Sequence, residues 1–286
     1  MDKEQYIGNL TEEFLRLGVS RGDILYVSSD VTVLTLDACR QCDLRSKKDI
    51  DGFYELLIDG LKDITGTEGT LLFPVFTWSF CRNIPYDAKK TQGEVGTLGN
   101  WVLNNRKDFI RTRHPLYSFM VSGKDAQYLN SMTNRTAWGK DSPFAYLHEK
   151  HAKNLIINVS LGGCFTFLHY VEESISVPHR YFKDFHGQYI DECGAMEDRT
   201  YTMFVRDLDI ESKQVTPDEC LVEAGVSKKD VFGKVSLQLV DLAGAYPVIE
   251  DNLRFHNGDQ WYDFYGYRLN WEAGQTHPDE TTMATR

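Results

Sequence analysis

The spacing of apolar positions divides most of the chain into helices and strands. Ile7, Leu10, Phe14 and Leu15 recur on one face of residues 3–17, and Gly18 follows, which predicts an amphipathic helix with a glycine stop. Asp23-Ile-Leu-Tyr-Val-Ser-Ser29 is an apolar run closed by hydroxyl residues, the pattern of a buried strand. A polar connection over residues 43–49, expected to be mobile, precedes a second amphipathic helix carrying Phe53, Leu56, Leu57, Leu61 and Ile64. Gly66-Thr-Glu-Gly69 ends it, and Thr70-Leu-Leu-Phe-Pro-Val-Phe76 forms the next strand, followed by Thr77-Trp78-Ser79. Alternation of helix, glycine turn and strand is typical of parallel α/β sheets. A long loop over residues 79–96, a helix near 98–106 and a strand at 119–122 come next. Gly139-Lys-Asp-Ser-Pro143 turns into a helix, with Ser142 as N-cap and Pro143 at the first helical position.

Residues 155–173, Leu-Ile-Ile-Asn-Val-Ser-Leu-Gly-Gly-Cys-Phe-Thr-Phe-Leu-His-Tyr-Val-Glu-Glu, predict a buried strand, a Gly162-Gly163 turn and a helix. Thr166 stands where an N-cap is expected, which puts His169 at the third helical position. Beyond this stretch the pattern changes. Residues 181–190 and 200–207 alternate and are rich in aromatics, as an antiparallel pair would be, while 217–224 and 243–252 are helical. Residues from 272 onward are polar. The expected fold is α/β, with a central largely parallel sheet flanked by helices and further antiparallel strands from the C-terminal third. One domain spans 1–271, with a flexible tail at 272–286.

Composition narrows the function classes. With 286 residues and 42% hydrophobic content the chain can bury a large core. A net charge of −11 argues against a nucleic-acid partner and is compatible with a cationic substrate, although a few local Arg or Lys side chains can still hold a phosphate. No apolar run reaches the length of a membrane span and no signal-type leader is visible, so a cytoplasmic protein without a membrane partner is expected. The six cysteines are scattered, as free thiols in a reducing compartment are, and the Cys39-Arg-Gln-Cys42 spacing lacks the second pair that a zinc site needs.

The candidate chemistry centres on His169. A helix N-terminus disfavours an imidazolium, and a carboxylate at i+3 or i+4, Glu172 or Glu173, can orient the ring, so the pattern suits a general base. Ser28, Ser29 and Asp30 stand at the carboxyl end of a strand, where ligands of open α/β sheets bind. The 79–96 loop offers Tyr86, Asp87 and Glu94 as a binding wall suited to an amino sugar. His114 is held extended by Pro115 and can share a pocket with Ser118. The Ser142 turn is explained by capping but also offers backbone donors to a ligand. Cys164 as a nucleophile activated by His169 is a rival reading, and His169-x-x-Glu172 as a metal site a weaker one, so no metal is expected.

In order and spacing these segments resemble the aminoglycoside 3-N-acetyltransferase family. The matching blocks are 23–29, 69–77, Tyr86-Asp87 with Thr91 and Gly96, 111–118, 139–143 and 166–172, within residues 5–182. The resemblance implies an acyl-coenzyme A-dependent N-acyltransferase, with acetyl-CoA or another acyl-CoA as co-substrate, His169 as base and Glu172 as its partner. It implies that Ser29, Thr77, His114 and Ser118 line the coenzyme and active-site cleft, and Ser28, by its place at the strand end, and Ser142, by the backbone donors of its turn, are further expected coenzyme contacts. Trp78, Tyr86, Asp87, Glu94, Arg180 and Lys183 are the expected acceptor contacts. The family usually reads Val-His-Ser-Ser-Leu where this chain has Val27-Ser28-Ser29-Asp30-Val31. The C-terminal third is closer to relatives acting on nucleotide-linked amino sugars of surface polysaccharide, and Arg180, Lys183 and His186 are placed to pair with a pyrophosphate. That acceptor is the main expectation, with an aminoglycoside as the alternative and a non-catalytic sugar- or coenzyme-binding protein as a third reading. The chain is expected to act as a monomer or homodimer.

Overall fold

α1 (Lys3–Leu17) starts on the Asp2 carboxylate, which accepts from the Gln5 amide, and ends at Gly18, whose φ of 121° suits a residue without a Cβ. β1 (Ile24–Ser29), α2 (Thr32–Gln41) and α3 (Lys47–Thr65) follow, the last started by a reciprocal Ser46–Asp49 capping box. Next come β2 (Thr70–Pro74), β3 (Tyr86–Asp87), α4 (Thr97–Asn105), β4 (Ile110–Arg111), β5 (Phe119–Gly123) and α5 (Ala126–Ser131). α6 (Pro143–Glu149), β6 (Lys153–Ile157), α7 (Leu161–Cys164) and α8 (Phe167–Ile175) lead to the long strands β7 (Arg180–Ile190) and β8 (Met196–Arg206). The remaining elements are β9 (Ile210–Gln214), α9 (Asp218–Glu223), β10 (Ser227–Phe232), β11 (Val235–Asp241), α10 (Leu242–Phe255), β12 (Tyr262–Tyr267) and β13 (Ala284–Thr285). This computed structural model describes residues 1–208, 210–214, 218–267, 270, 275 and 284–285, with 210–214, 263–267 and 284–285 as backbone alone.

The expected α/β class is observed. A seven-stranded sheet runs β10-β11-β6-β1-β2-β5-β4, with helices on its faces. Parallel pairing holds at its centre, β6 with β1 and β1 with β2, while the outer strands are antiparallel. The antiparallel strands expected from the C-terminal third build two smaller sheets, β3-β7-β8 and β13-β12-β9, and also extend the main sheet through β10 and β11.

Strand side chains alternate between faces, and the core divides accordingly. Leu25, Val27, Leu71, Phe73, Leu155 and Ile157 pack with Phe14 of α1 and Phe53 and Leu57 of α3. Tyr26, Leu72 and Ile156 face the other way, against Phe144 of α6, Leu168 and Val171 of α8 and Ile249 of α10. That second layer sets α8 beside the carboxyl ends of the parallel strands.

Four local expectations are corrected. α2 was not anticipated, because it buries only Leu34 and Ala38 and therefore lacks a full apolar stripe. Residues 79–96 are not structureless, since they hold a 3-10 turn at Ser79–Arg82 and the strand β3. Gly162 and Gly163 lie inside α7, capped by the Ser160 hydroxyl, which accepts from the Gly163 amide. Thr166 precedes α8 with a helical backbone and makes no side-chain capping bond. The tail expected at 272–286 lies almost wholly outside the described residues; Ala284 and Thr285 pair with β12.

Candidate active site

β1 and β6 end together, Ser28 beside Ile156 and Ser29 beside Ile157. At the carboxyl ends of β1, β6 and β2 a cavity of about 380 Å³ opens, lined by Tyr26, Ser28, Ser29, Phe76, Cys164 and Thr166, with Asp30 as the acidic residue of the lining. This is the crevice in which ligands of α/β sheets bind. The Ser28 hydroxyl donates to Asn154 Oδ1 at 3.1 Å.

One helical turn beyond Thr166, His169 presents its ring with 28% of the side chain exposed. Its Nδ1 lies 2.7 Å from Glu172 Oε2. A carboxylate can only accept there, so Nδ1 carries the proton and the lone pair of Nε2 is free for a substrate. The Trp138 ring packs against the imidazole, 5.0 Å between centroids and tilted by 57°. Burial and the nearby Arg180 charge push His169 below its ordinary value against the pull of Glu172, so the ring is neutral at pH 7.

Glu172 has no exposed surface, and its side chain is held from four directions. Besides His169, His179 Nε2 lies 3.0 Å from Oε1, the Tyr262 hydroxyl donates to Oε1 at 2.7 Å, and Arg180 Nε pairs with Oε2 at 2.8 Å. Burial alone would raise this carboxyl; the hydrogen bonds from His169 and His179 and the Arg180 charge outweigh it and hold it well below the usual carboxylate range. The choice between Glu172 and Glu173 is thereby decided in geometry. Glu173 turns instead toward the Thr136 hydroxyl and the Trp138 amide, in the loop that lays Trp138 on His169. That loop closes tightly at Gly139, where an added Cβ would meet Thr136 Oγ1 at 2.0 Å.

Burial, opposed by those two hydrogen bonds, lifts Glu173 to about 7. A carboxyl raised from 4.5 favours the fold below pH 4.5 and loses that contribution as pH climbs through 7, a change of about 3 kcal/mol. Glu173→Gln, which cannot ionise, therefore gains stability relative to the wild type between pH 5 and pH 8. Thermal melts of both proteins across that window check this, and a difference independent of pH would contradict it.

Several side chains expected at the site are engaged elsewhere. Arg180, expected on the acceptor, is buried on Glu172, and its Nη1 donates to the Phe204 carbonyl at 3.2 Å. Tyr86 is fully buried, under Arg111 and against Tyr189, and does not line the cavity at the strand ends. Ser118, also fully buried, accepts from Arg111 Nε at 2.9 Å and donates to the Val75 carbonyl. Ser142 caps α6 by accepting from the Ala145 amide. Asp87 accepts from the Lys89 and Lys90 amides. Glu94 accepts from Thr77, the Trp78 amide and Arg82, which occupies the Thr77 hydroxyl as well. The Trp78 indole donates to the Tyr117 hydroxyl at 3.2 Å. Lys183 lies on β7 over the Phe185 ring. His114 and Ser118 do not share a pocket, because His114 lines a separate cavity with Arg113.

Among groups able to donate to a developing oxyanion, the Gly163 amide is used by Ser160 and the Thr77 hydroxyl by Glu94, while Ser29 lines the cavity. Sequence reasoning missed His179, Tyr262 and Trp138. His179 follows a proline, as His114 precedes one, and that was its only local signal; Tyr262 stands 90 residues from Glu172 and had none.

Cys164 lines the cavity with its thiol pushed up to about 12 by burial, so it carries almost no thiolate at neutral pH. Cys164→Ala is accordingly expected to keep kcat within about threefold of the wild type in a thiol-release assay. A loss matching that of a His169 variant would establish a covalent route. Among the described residues no group of His, Cys, Asp and Glu is arranged to hold a metal ion, and no helix is long and apolar enough to cross a membrane.

Solved structures of the same fold include AAC-IIIb in binary complex with CoASH, with a TM-score of 0.70, 18% identity and 87% of this chain and 96% of that chain covered. They also include AAC(3)-IIb, with a TM-score of 0.69, 20% identity and 87% and 97% covered. YokD from Bacillus subtilis aligns with a TM-score of 0.65, 19% identity and 86% and 98% covered. No curated protein sequence matches. Residues 41–254 match the family model described as aminoglycoside 3-N-acetyltransferase. The chain belongs to that family, and it is an acyl-coenzyme A-dependent N-acetyltransferase of the class.

Proposed function

We propose that the protein transfers an acetyl group from acetyl-CoA to an amine of a polyamino sugar of the aminoglycoside type, by direct attack with His169 as general base. The observation that carries this is the neutral, partly exposed His169 held by the buried Glu172 one turn beyond the cavity. An amine attacks a thioester only when unprotonated. His169 Nε2 takes the proton as the C–N bond forms, the imidazolium that results faces the Glu172 carboxylate, and it passes that proton to the coenzyme A thiolate as the C–S bond of the tetrahedral intermediate breaks. Holding both substrates at the strand ends removes much of the entropic barrier, and we assign the oxyanion to the Ser29 hydroxyl because it lines the cavity. The acidic balance of the chain and Asp30 in the cavity lining favour a cationic acceptor. Neighbours of the same fold include AAC-VIa with bound sisomicin. A nucleotide-linked acceptor loses support at Arg180, whose charge is spent on Glu172.

The deciding experiment compares kcat/KM for an aminoglycoside and a thymidine-diphosphate amino sugar by thiol release from acetyl-CoA. A preference of tenfold or more for the aminoglycoside is expected. The reverse preference would restore the nucleotide-linked acceptor, and coenzyme A binding without turnover of any amine would make the protein a binding module.

A further inference from the structure

The second cavity, of about 310 Å³, lies between the Arg113–His114 segment, the Met132–Arg135 loop and Arg199–Tyr201 of β8. Its lining includes three arginines and no carboxylate, on a chain whose net charge is −11, and of the three Arg199 also stacks on the Tyr189 ring. Asp184 pairs with Arg135 at 2.8 Å and Glu197 pairs with Arg199, but neither acid lines the cavity. Arg113 has no ion pair among the described residues, and its buried Nε has no hydrogen-bond partner. A guanidinium left so is costly unless something anionic pairs with it.

His114 adds a second, independent indication. It is 1% exposed. Its Nδ1 faces the Leu116 and Tyr117 amides at 3.3 and 3.4 Å and so accepts, which puts the proton on Nε2. Nε2 lies beside the Arg135 backbone without the alignment of a hydrogen bond. Burial keeps the ring neutral, so it offers an N–H donor at every working pH. The cavity therefore collects forked cationic donors and a neutral N–H, the set that suits phosphoryl oxygens.

We propose that this cavity is a binding site for a phosphate or pyrophosphate group. The Met132–Arg135 loop continues to Trp138 on His169, so a phosphorylated molecule held here lies within roughly 15 Å of the catalytic imidazole, from the reach of three extended residues and one ring contact. The inference does not depend on which amine is acetylated.

Calorimetric titration of the full chain with inorganic pyrophosphate tests it. Saturable one-to-one binding that weakens with added salt is expected, weaker by tenfold or more in Arg113→Gln and unchanged in Arg45→Gln, an exposed residue outside the cavity. Absence of saturable binding, or equal affinity in Arg113→Gln, overturns the proposal. Circular dichroism checks that the variant is folded; should it not be, Arg199→Gln replaces it under the same criteria. Coenzyme A and thymidine diphosphate are titrated in parallel, and whichever shows the Arg113 dependence identifies the source of the phosphate. Binding of both that ignores Arg113 counts against the site, whatever the thiol-release assay shows about acetyl transfer.

Discussion

His169→Ala lowers kcat by about 10²–10⁴-fold and leaves the KM for acetyl-CoA nearly unchanged. The expectation follows from where the ring sits. Its Nε2 is the lone pair left open by the Nδ1–Glu172 bond, so its loss removes an interaction made only as the amine gives up its proton. The pH profile adds a second reading. Activity of the wild type rises through the His169 pKa, which burial and Arg180 hold below 6.5, and is flat from there upward apart from the titration of the amine itself. The alanine variant retains only the amine's dependence. Steady-state kinetics by thiol release between pH 5 and pH 9 measure both effects. A variant with kcat within about threefold of the wild type would remove His169 from the mechanism.

Glu172→Gln has the largest expected effect on stability. Arg180 and His179 are both buried against this carboxylate, so the neutral amide leaves a guanidinium without its counter-charge. Breaking a buried pair in this way costs about 3–5 kcal/mol, a Tm lower by roughly 10 °C for a domain of this size. Activity falls as well, by about 10²-fold or more, because a glutamine amide can donate to Nδ1 and trap the tautomer whose proton occupies Nε2. Differential scanning calorimetry and kinetics on the same preparation check the two parts. An unchanged Tm would mean that Arg180 finds another partner, and an unchanged kcat that the ring needs no orienting carboxylate.

The central elements were legible because their signals are local. The apolar runs of β1, β2 and β6 and the stripes of α1 and α3 each lie within about twenty residues, and the order of motifs around them identified the family before any contact was known. His169 and Glu172 were legible for the same reason, since i and i+3 on a helix are neighbours by geometry alone. α2 was missed because its buried stripe is two residues wide, and the loop at 79–96 because β3 owes its existence to β7, a hundred residues later.

Arg180, Tyr86, Ser118 and His114 mark the other boundary. Their residue types suit ligand binding, and nothing nearby in the chain says otherwise. Arg180 is drawn onto Glu172, Ser118 onto Arg111 and Tyr86 under Arg111, while His114 lines a second cavity walled by β8 instead of the one at the strand ends. Periodicity and short spacing carry the strand order's raw material and the helix that bears His169 and Glu172. Which polar side chains stay open to substrate depends on partners tens of residues away, brought together only when the sheets close around a shared buried charge.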